Sequence, residues 1–282
     1  MAIDGTVPPS DQKASGYAWY VLGILFLVYI LNFVDRQIIS ILAEDIKRDL
    51  NLKDEDLGFL YGTAFGVFYA LFGIPLGRLA DNWHRVRLMT VGLALWSTMT
   101  ALSGLSKTGG HLAAARIGVG IGEATASPSA YSLISDWFPK RLRATALAIY
   151  SAGLYIGGGC SLFIGGLIVQ NWNAAYPGGG PWGLVGWQAA FMAVGLPGIL
   201  VALWIATLRE PVRGAIEGHP TPQHPAPFRA FADELVTIIP PLTLIGAARR
   251  GTGALMLNLT VAAGIVALVW ALVAMGEPKP QW

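Results

Sequence analysis

Seven stretches of about 20 mostly apolar residues constrain this 282-residue chain more than anything else in it. They run 17–43, 57–76, 88–105, 112–134, 144–169, 184–208 and 253–275. A helix rises about 1.5 Å per residue, so about 20 residues carry it across a hydrocarbon core about 30 Å thick. Barrel strands would need runs of about 10 residues alternating apolar and polar side chains, and that alternation is absent. The pattern predicts an all-α, polytopic membrane protein. The charge content agrees: 13% of residues are charged, where a soluble domain carries roughly 25%.

Several function classes drop out. A net charge of +2 carries no nucleic-acid signature. A lone Cys160 allows neither a disulfide framework nor a cysteine metal site. His84, His111, His219 and His224 lie outside the apolar cores and form no HExxH pair. His219 and His224 fit a solvated tail better than a metal site, so no metal and no cofactor are expected. The Gly157-Gly158-Gly159 run follows no strand and reads as helix packing, not as a nucleotide loop.

Positive charge orients the spans. Arg78, Arg85 and Arg87 lie after the second stretch, and Lys140, Arg141 and Arg143 after the fourth. Arg209, Arg213, Arg229, Arg249 and Arg250 lie after the sixth. The intervening connections are poor in positive charge, except that the first mixes Lys47, Arg48 and Lys53 with six acidic residues. The expected N-terminus is therefore cytoplasmic, in a plasma membrane of bacterial inner-membrane type. Residues 1–16 hold one Lys and no apolar core, and read as a cytoplasmic tail, not a cleaved signal. The expected organisation is a six-helix bundle over 17–208, a cytoplasmic linker over 209–250, and a seventh span with a short outer tail over 251–282. Within the linker, 210–227 is rich in Pro, Gly and His, and 228–250 is amphipathic, interrupted at Pro240-Pro241.

Small residues recur every four positions: Gly58, Gly62, Gly66 and Ala70; Ala114, Gly118, Gly122, Ala126 and Ala130; Gly153, Gly157, Ser161 and Gly165. Such stripes let helix backbones approach closely in lipid. Ionisable groups within spans are costly and point to function. Four qualify: Asp35 and Arg36 on the first span, Arg116 and Glu123 on the fourth. Arg116 and Glu123 are seven residues apart, so they share a face about 10 Å apart in height. An Asp35–Arg116 pair is geometrically possible and leaves Glu123 as the deeper carboxylate. Arg36 faces about 100° from Asp35 and can snorkel to the interface. Asn32 and Tyr29 share the Asp35 face and fit either a cavity wall or interhelical hydrogen bonds. The bland reading of the charges is a static pair locking the first helix to the fourth.

The run Gly77 to Arg87, with Asp81, Arg85 and Arg87 at its charged positions and His84 where glycine is usual, resembles a signature of major facilitator transporters. Asp136-Trp137-Phe138-Pro139 with Arg143 resembles the partner segment. The resemblance implies a conformational gating motif at Gly77, Asp81, Arg85, Arg87, Asp136 and Arg143. Leu31 to Gln37, Arg116 to Ala124, Ser127-Pro128 and Tyr131 to Asp136 further resemble the spinster-like branch. That resemblance implies proton coupling and substrate binding at Asp35, Arg116 and Glu123. It also implies a fold of two six-helix halves, of which this chain supplies the first plus one span. The second and fifth helices are then expected to turn their glycine stripes to the other half. The fifth helix lacks the Gly-Pro of an antiporter motif, which leaves exchange and symport both open.

The expected function is secondary active transport of an organic, amphipathic or lipid-like solute, coupled to a proton or another ion. Expected partners are the solute, membrane lipid, and a missing C-terminal half or a second copy. The alternative is a half-transporter acting only as a structural or regulatory membrane partner. A retinal photoreceptor is disfavoured because the seventh span has no Lys. An intramembrane hydrolase is disfavoured because no His lies deep in a span.

Overall fold

The computed structural model describes residues 13–222 and 224–276, so most of the N-terminal tail and all of the outer tail lie outside the described residues. It forms two compact units, one ending at Pro227 and the other beginning at Phe228. The described residues are helical and contain no strand.

α1 (Gly16–Ile41) starts where the Ser15 hydroxyl oxygen accepts the Ala18 amide at 3.1 Å, a standard N-cap. α2 (Ala43–Leu50) continues it and stops at Asn51, whose φ of 51° is left-handed. α3 (Asp54–Gly58) passes through a π turn (Phe59–Thr63) into α4 (Ala64–Asn82). α5 (Arg85–Ser103), α6 (Gly109–Glu123), α7 (Ala126–Trp137), α8 (Lys140–Ala175) and α9 (Gly186–Ile205) complete the bundle.

Five helical runs among the described residues are long and apolar enough to cross a membrane: 16–41, 54–82, 140–175, 186–205 and 252–271. Two expected spans take other forms. α5 is helical throughout but begins at Arg85 and Arg87 and carries Ser97, Thr98, Thr100 and Ser103, which lower its hydropathy. The expected fourth span is two helices, α6 and α7, broken at Ala124-Thr125. Pro128 has no N–H to return to the Ala124 carbonyl, and the Thr125 hydroxyl donates to the Gly122 carbonyl at 2.8 Å. The break falls immediately after Glu123.

α1 lies along α8 and α9, α5 along α9 and α6, and α4 along α6. Glycine sets how closely they approach. A Cβ at Gly157 would sit 2.9 Å from the Phe33 Cβ, and one at Gly122 would sit 2.8 Å from the Trp96 amide. The fifth-helix stripe Gly153, Gly157, Ser161 and Gly165 is therefore buried against α1, not turned outward as expected. The outward glycines of α8 are Gly158, Gly159 and Gly166, where an added Cβ meets nothing within 4 Å. Gly58, Gly62 and Gly66 before and within α4 are equally open.

Two apolar cores fill the bundle. One gathers Leu25, Val28, Met89, Trp96, Leu133 and Tyr150. The other gathers Ile38, Leu42, Leu60, Leu112, Trp187 and Phe191. Trp and Tyr cluster at both ends, as at membrane interfaces. Tyr17 stands 5.0 Å from Trp137 at one end, and Trp172 stands 5.0 Å from Tyr176 at the other.

In the second unit, α10 (Pro227–Ile238) and α11 (Thr243–Arg250) meet at a 96° bend around Pro240-Pro241. α12 (Thr252–Gly276) follows after Gly251.

Candidate functional site

The site lies where the two cores meet, and burial selects its members. Asp35 is 2% exposed, and Arg116 and Glu123 are each 1% exposed. The side chain of Arg36, by contrast, keeps 25% of its surface open. The Asp35–Arg116 pair that the spacing allows does not form. Instead the Arg36 Nε donates to Glu123 Oε2 at 2.6 Å, tying α1 to the C-terminal end of α6. Arg116 reaches only the Asp35 main-chain carbonyl, from Nη1 at 3.5 Å. The rotation of α1 turns Arg36, one residue on from Asp35, towards α4 and α6. Snorkelling is replaced by an ion pair.

Aromatic rings of α1 and α4 hold the guanidinium in place. The Arg36 Cζ lies 5.3 Å from the Phe33 centroid, 5.0 Å from Phe65 and 4.6 Å from Tyr69. Arg116 lies 5.2 Å from Phe65, so one ring serves both cations. Such contacts strengthen as water is removed. Phe65 and Tyr69 belong to the site but carry no sequence signal, since aromatics in an apolar span are common.

Around this pair the layer holds further polar atoms. Asp35 Oδ1, Asn32 Nδ2, Glu123 Oε1, Arg116 Nε, Trp96 Nε1 and Thr100 Oγ1 are all buried in this layer, with Asn32 facing the Glu123 carboxyl. Trp96 and Thr100 are the polar neighbours of the Asp35 carboxyl. Buried polar atoms at this density are costly in lipid. Tyr29 extends the layer by stacking on Tyr150 at 4.3 Å, with Tyr131 edge-on to Tyr150 at 5.7 Å. Arg36 opens onto a cleft of about 420 Å³ whose walls include Phe33, Gln37, Leu154, Tyr155, Gly158 and Leu162. This cleft joins one cation to a largely apolar wall.

A second constellation occupies the end of the bundle where α5 begins. Arg85 is fully buried and acts as its hub. It donates to Glu210 Oε1 at 2.7 Å, to the Ser132 hydroxyl at 2.9 Å, to the Pro211 carbonyl at 2.8 Å, and to Asp136. Asp136 also accepts the Gly214 amide at 3.0 Å. Arg213 donates to the Trp83 carbonyl at 2.9 Å, and burial, reinforced by the charge of Arg85, lowers its pKa. Arg143 reaches Glu217 at 2.5 Å and holds that carboxyl below the ordinary glutamate range. Of the other motif residues, Gly77 packs towards Pro128, with a built Cβ 4.0 Å from its Cβ, while Asp81 and Arg87 are exposed. The segment 209–219, which reads as linker in the sequence, is thus part of the bundle. Its signal was the charge run Arg209-Glu210 directly after the sixth span.

No cluster of three or more metal-ligating His, Cys, Asp or Glu side chains occurs among the described residues.

The profile of the Major Facilitator Superfamily matches residues 25–278. A relative from Mycolicibacterium smegmatis, an "MFS-type efflux pump", is 35% identical over 68% of this chain and 42% of its own length. The Drosophila melanogaster "Protein spinster" is 30% identical over 75% of this chain and 33% of its own. Among solved structures, a bacterial homologue of the human lysosomal transporter Spinster, inward-facing and occupied, is 39% identical with a TM-score of 0.67. That match covers 72% of this chain and 46% of the other. The chain therefore spans less than half the length of these relatives.

Proposed function

The chain belongs to the Major Facilitator Superfamily, a family of transporters and not of enzymes, and from that membership we propose that it forms the first half of a spinster-like secondary transporter for an anionic, amphipathic solute. It is an integral, multi-pass membrane protein. In this reading the N-terminus is cytoplasmic, the membrane is a bacterial inner membrane, and a companion half covers the open glycines of α4 and α8.

The observation that carries the proposal is the Arg36–Glu123 pair at the edge of the cleft. Arg36 is the one member of the buried quartet that is a quarter open to the cleft, so it, and not Arg116, receives the anionic group of the solute. Glu123 and the solute compete for the same guanidinium. A proton delivered to Glu123 removes its charge and releases Arg36, because a charge-assisted pair needs both charges. Asp35 and Arg116 form the buried relay behind it, with Asn32 and Tyr29 beside them. Phe33, Leu154 and Leu162 then accept the apolar part of the solute. The Arg85 network is the gate, since it fastens α5, α7 and segment 209–219 together at one end of the bundle.

The test is binding by the protein made from the complete native gene, in nanodiscs, with laurate, glucuronate and dodecyltrimethylammonium as probes. Laurate is expected to raise the Tm, and Arg36→Ala, both alone and combined with Glu123→Gln so that no buried carboxylate is left unpaired, to abolish the shift. A shift from the cation alone, or a laurate shift that survives Arg36→Ala, would overturn the assignment. A glucuronate shift without a laurate shift would replace the amphipathic solute by an acidic sugar.

A further inference from the structure

The second unit carries an arrangement outside the two constellations described above. On α10, Phe228, Phe231, Leu235 and Ile238 fall within about 80° of one another at 100° per residue. Arg229, Asp233, Glu234 and Thr237 occupy the opposite arc. Gly246 of α11 lets that helix close on α10: a Cβ there would lie 3.0 Å from the Val236 carbonyl oxygen. Arg249 approaches Asp233 at 4.0 Å, so the elbow is tied across its bend. Arg249 and Arg250 end α11, and one glycine, Gly251 at φ +116°, separates them from the first residue of α12. α12 is apolar enough to span.

A spanning α12 sets the level of the end of α11. Two peptide steps cover at most about 7 Å, so the ends of α11 and α12 lie at the same level. That level is the membrane interface, where phosphate groups reside. We propose that the α10–α11 elbow is a binding site for anionic phospholipid, with Arg249 and Arg250 holding the headgroup phosphate and the Phe228–Ile238 stripe lying among the first acyl carbons. Arginine forks match phosphate oxygens, and each cation at such a surface contributes about fivefold to binding. Asp233 already neighbours Arg249. Arg250 is exposed and joins no ion pair or hydrogen bond among the described residues, which leaves its donors for lipid. The inference rests on α12 spanning the membrane and is independent of the solute or its coupling.

The experiment is native mass spectrometry of the complete native protein in detergent, titrated with dioleoyl phosphatidylglycerol or dioleoyl phosphatidylcholine. Phosphatidylglycerol is expected to be retained preferentially. Arg249→Gln with Arg250→Gln should lower that retention about 25-fold and leave phosphatidylcholine unchanged. Asp233→Asn, which frees Arg249, should raise it. Equal retention in parent and double variant, or loss of both lipids alike, would overturn the site. Displacement of phosphatidylglycerol by excess inorganic phosphate would overturn it too, in favour of a soluble anion site. Retention of all variants in alkaline-washed membranes checks the spanning of α12 separately.

Discussion

The Arg36 guanidinium on α1 and the Glu123 carboxylate on α6 meet at 2.6 Å, while Arg116, on the same helix as Glu123, stops at the Asp35 main chain 3.5 Å away. The two arginines are therefore not equivalent. Glu123→Gln keeps the shape of the pair and removes its titratable charge. Solute uptake driven by an imposed pH gradient should fall to the level seen without one, while downhill exchange continues. Accumulation that still follows the pH gradient would remove Glu123 from the coupling.

Arg116 should behave differently because it is sealed in. Arg116→Ala removes a fully buried cation, with its contacts to the Asp35 carbonyl and the Phe65 ring, from a layer holding two buried carboxyls. A large fall in thermal stability is expected together with loss of transport. Arg36→Ala breaks the ion pair to the buried Glu123 carboxylate, which costs about 3–5 kcal/mol when one partner is removed. Arg36→Ala combined with Glu123→Gln should instead keep most of the stability and still lose solute binding. Thermal unfolding of these variants in nanodiscs checks the contrast.

Neighbouring glycines on α8 offer a sharper pair. Gly157→Ala places a methyl 2.9 Å from the Phe33 Cβ and should destabilise the α1–α8 contact by about 1–3 kcal/mol. Gly158→Ala meets nothing within 4 Å and gains helix propensity, up to about 1 kcal/mol. If a companion half covers this face, Gly166→Leu, equally open but away from the cleft wall, should leave the bundle stable and still abolish transport. Unimpaired transport in that variant would mean the face is open to lipid.

Glu217 supplies a pH test outside the spans. Arg143 lowers its pKa in the folded state, so its contribution is complete above the ordinary glutamate value of 4.5 and disappears as pH falls through the lowered value. Protease sensitivity of segment 209–219 should stay flat from neutral pH down to the ordinary value and rise only below it. Glu217→Gln should show the raised sensitivity at every pH.

Much of this was legible beforehand because membranes enforce it. A buried charge costs so much in lipid that Asp35, Arg36, Arg116 and Glu123 stand out from their neighbours by residue type alone. Their pairing was not legible. Sequence spacing gives the angle between Asp35 and Arg36 on one helix, but not how α1 is rotated against α6, and that rotation chose Arg36. The break after Glu123 could be argued only from Pro128, three residues into α7. Glu210, Arg213 and Glu217 were hidden by the Pro, Gly and His around them, which resemble a solvated connection until Arg85 is seen to need acceptors. The buried fifth-helix stripe was misdirected for a similar reason: small residues mark a close contact without naming the neighbour.

α8 is 36 residues long, about 54 Å of continuous helix against a hydrocarbon core of about 30 Å. Near its start Arg143 grips Glu217, downstream of α9; near its finish the Trp172 indole donates at 2.9 Å to the Leu184 carbonyl, just upstream of α9. The two helices are thus clamped at both ends like the sides of a ladder. Both ties run to the segments that flank α9, one before it and one after it. Displacing α8 along α9 would therefore strain a contact at each end of the bundle at once.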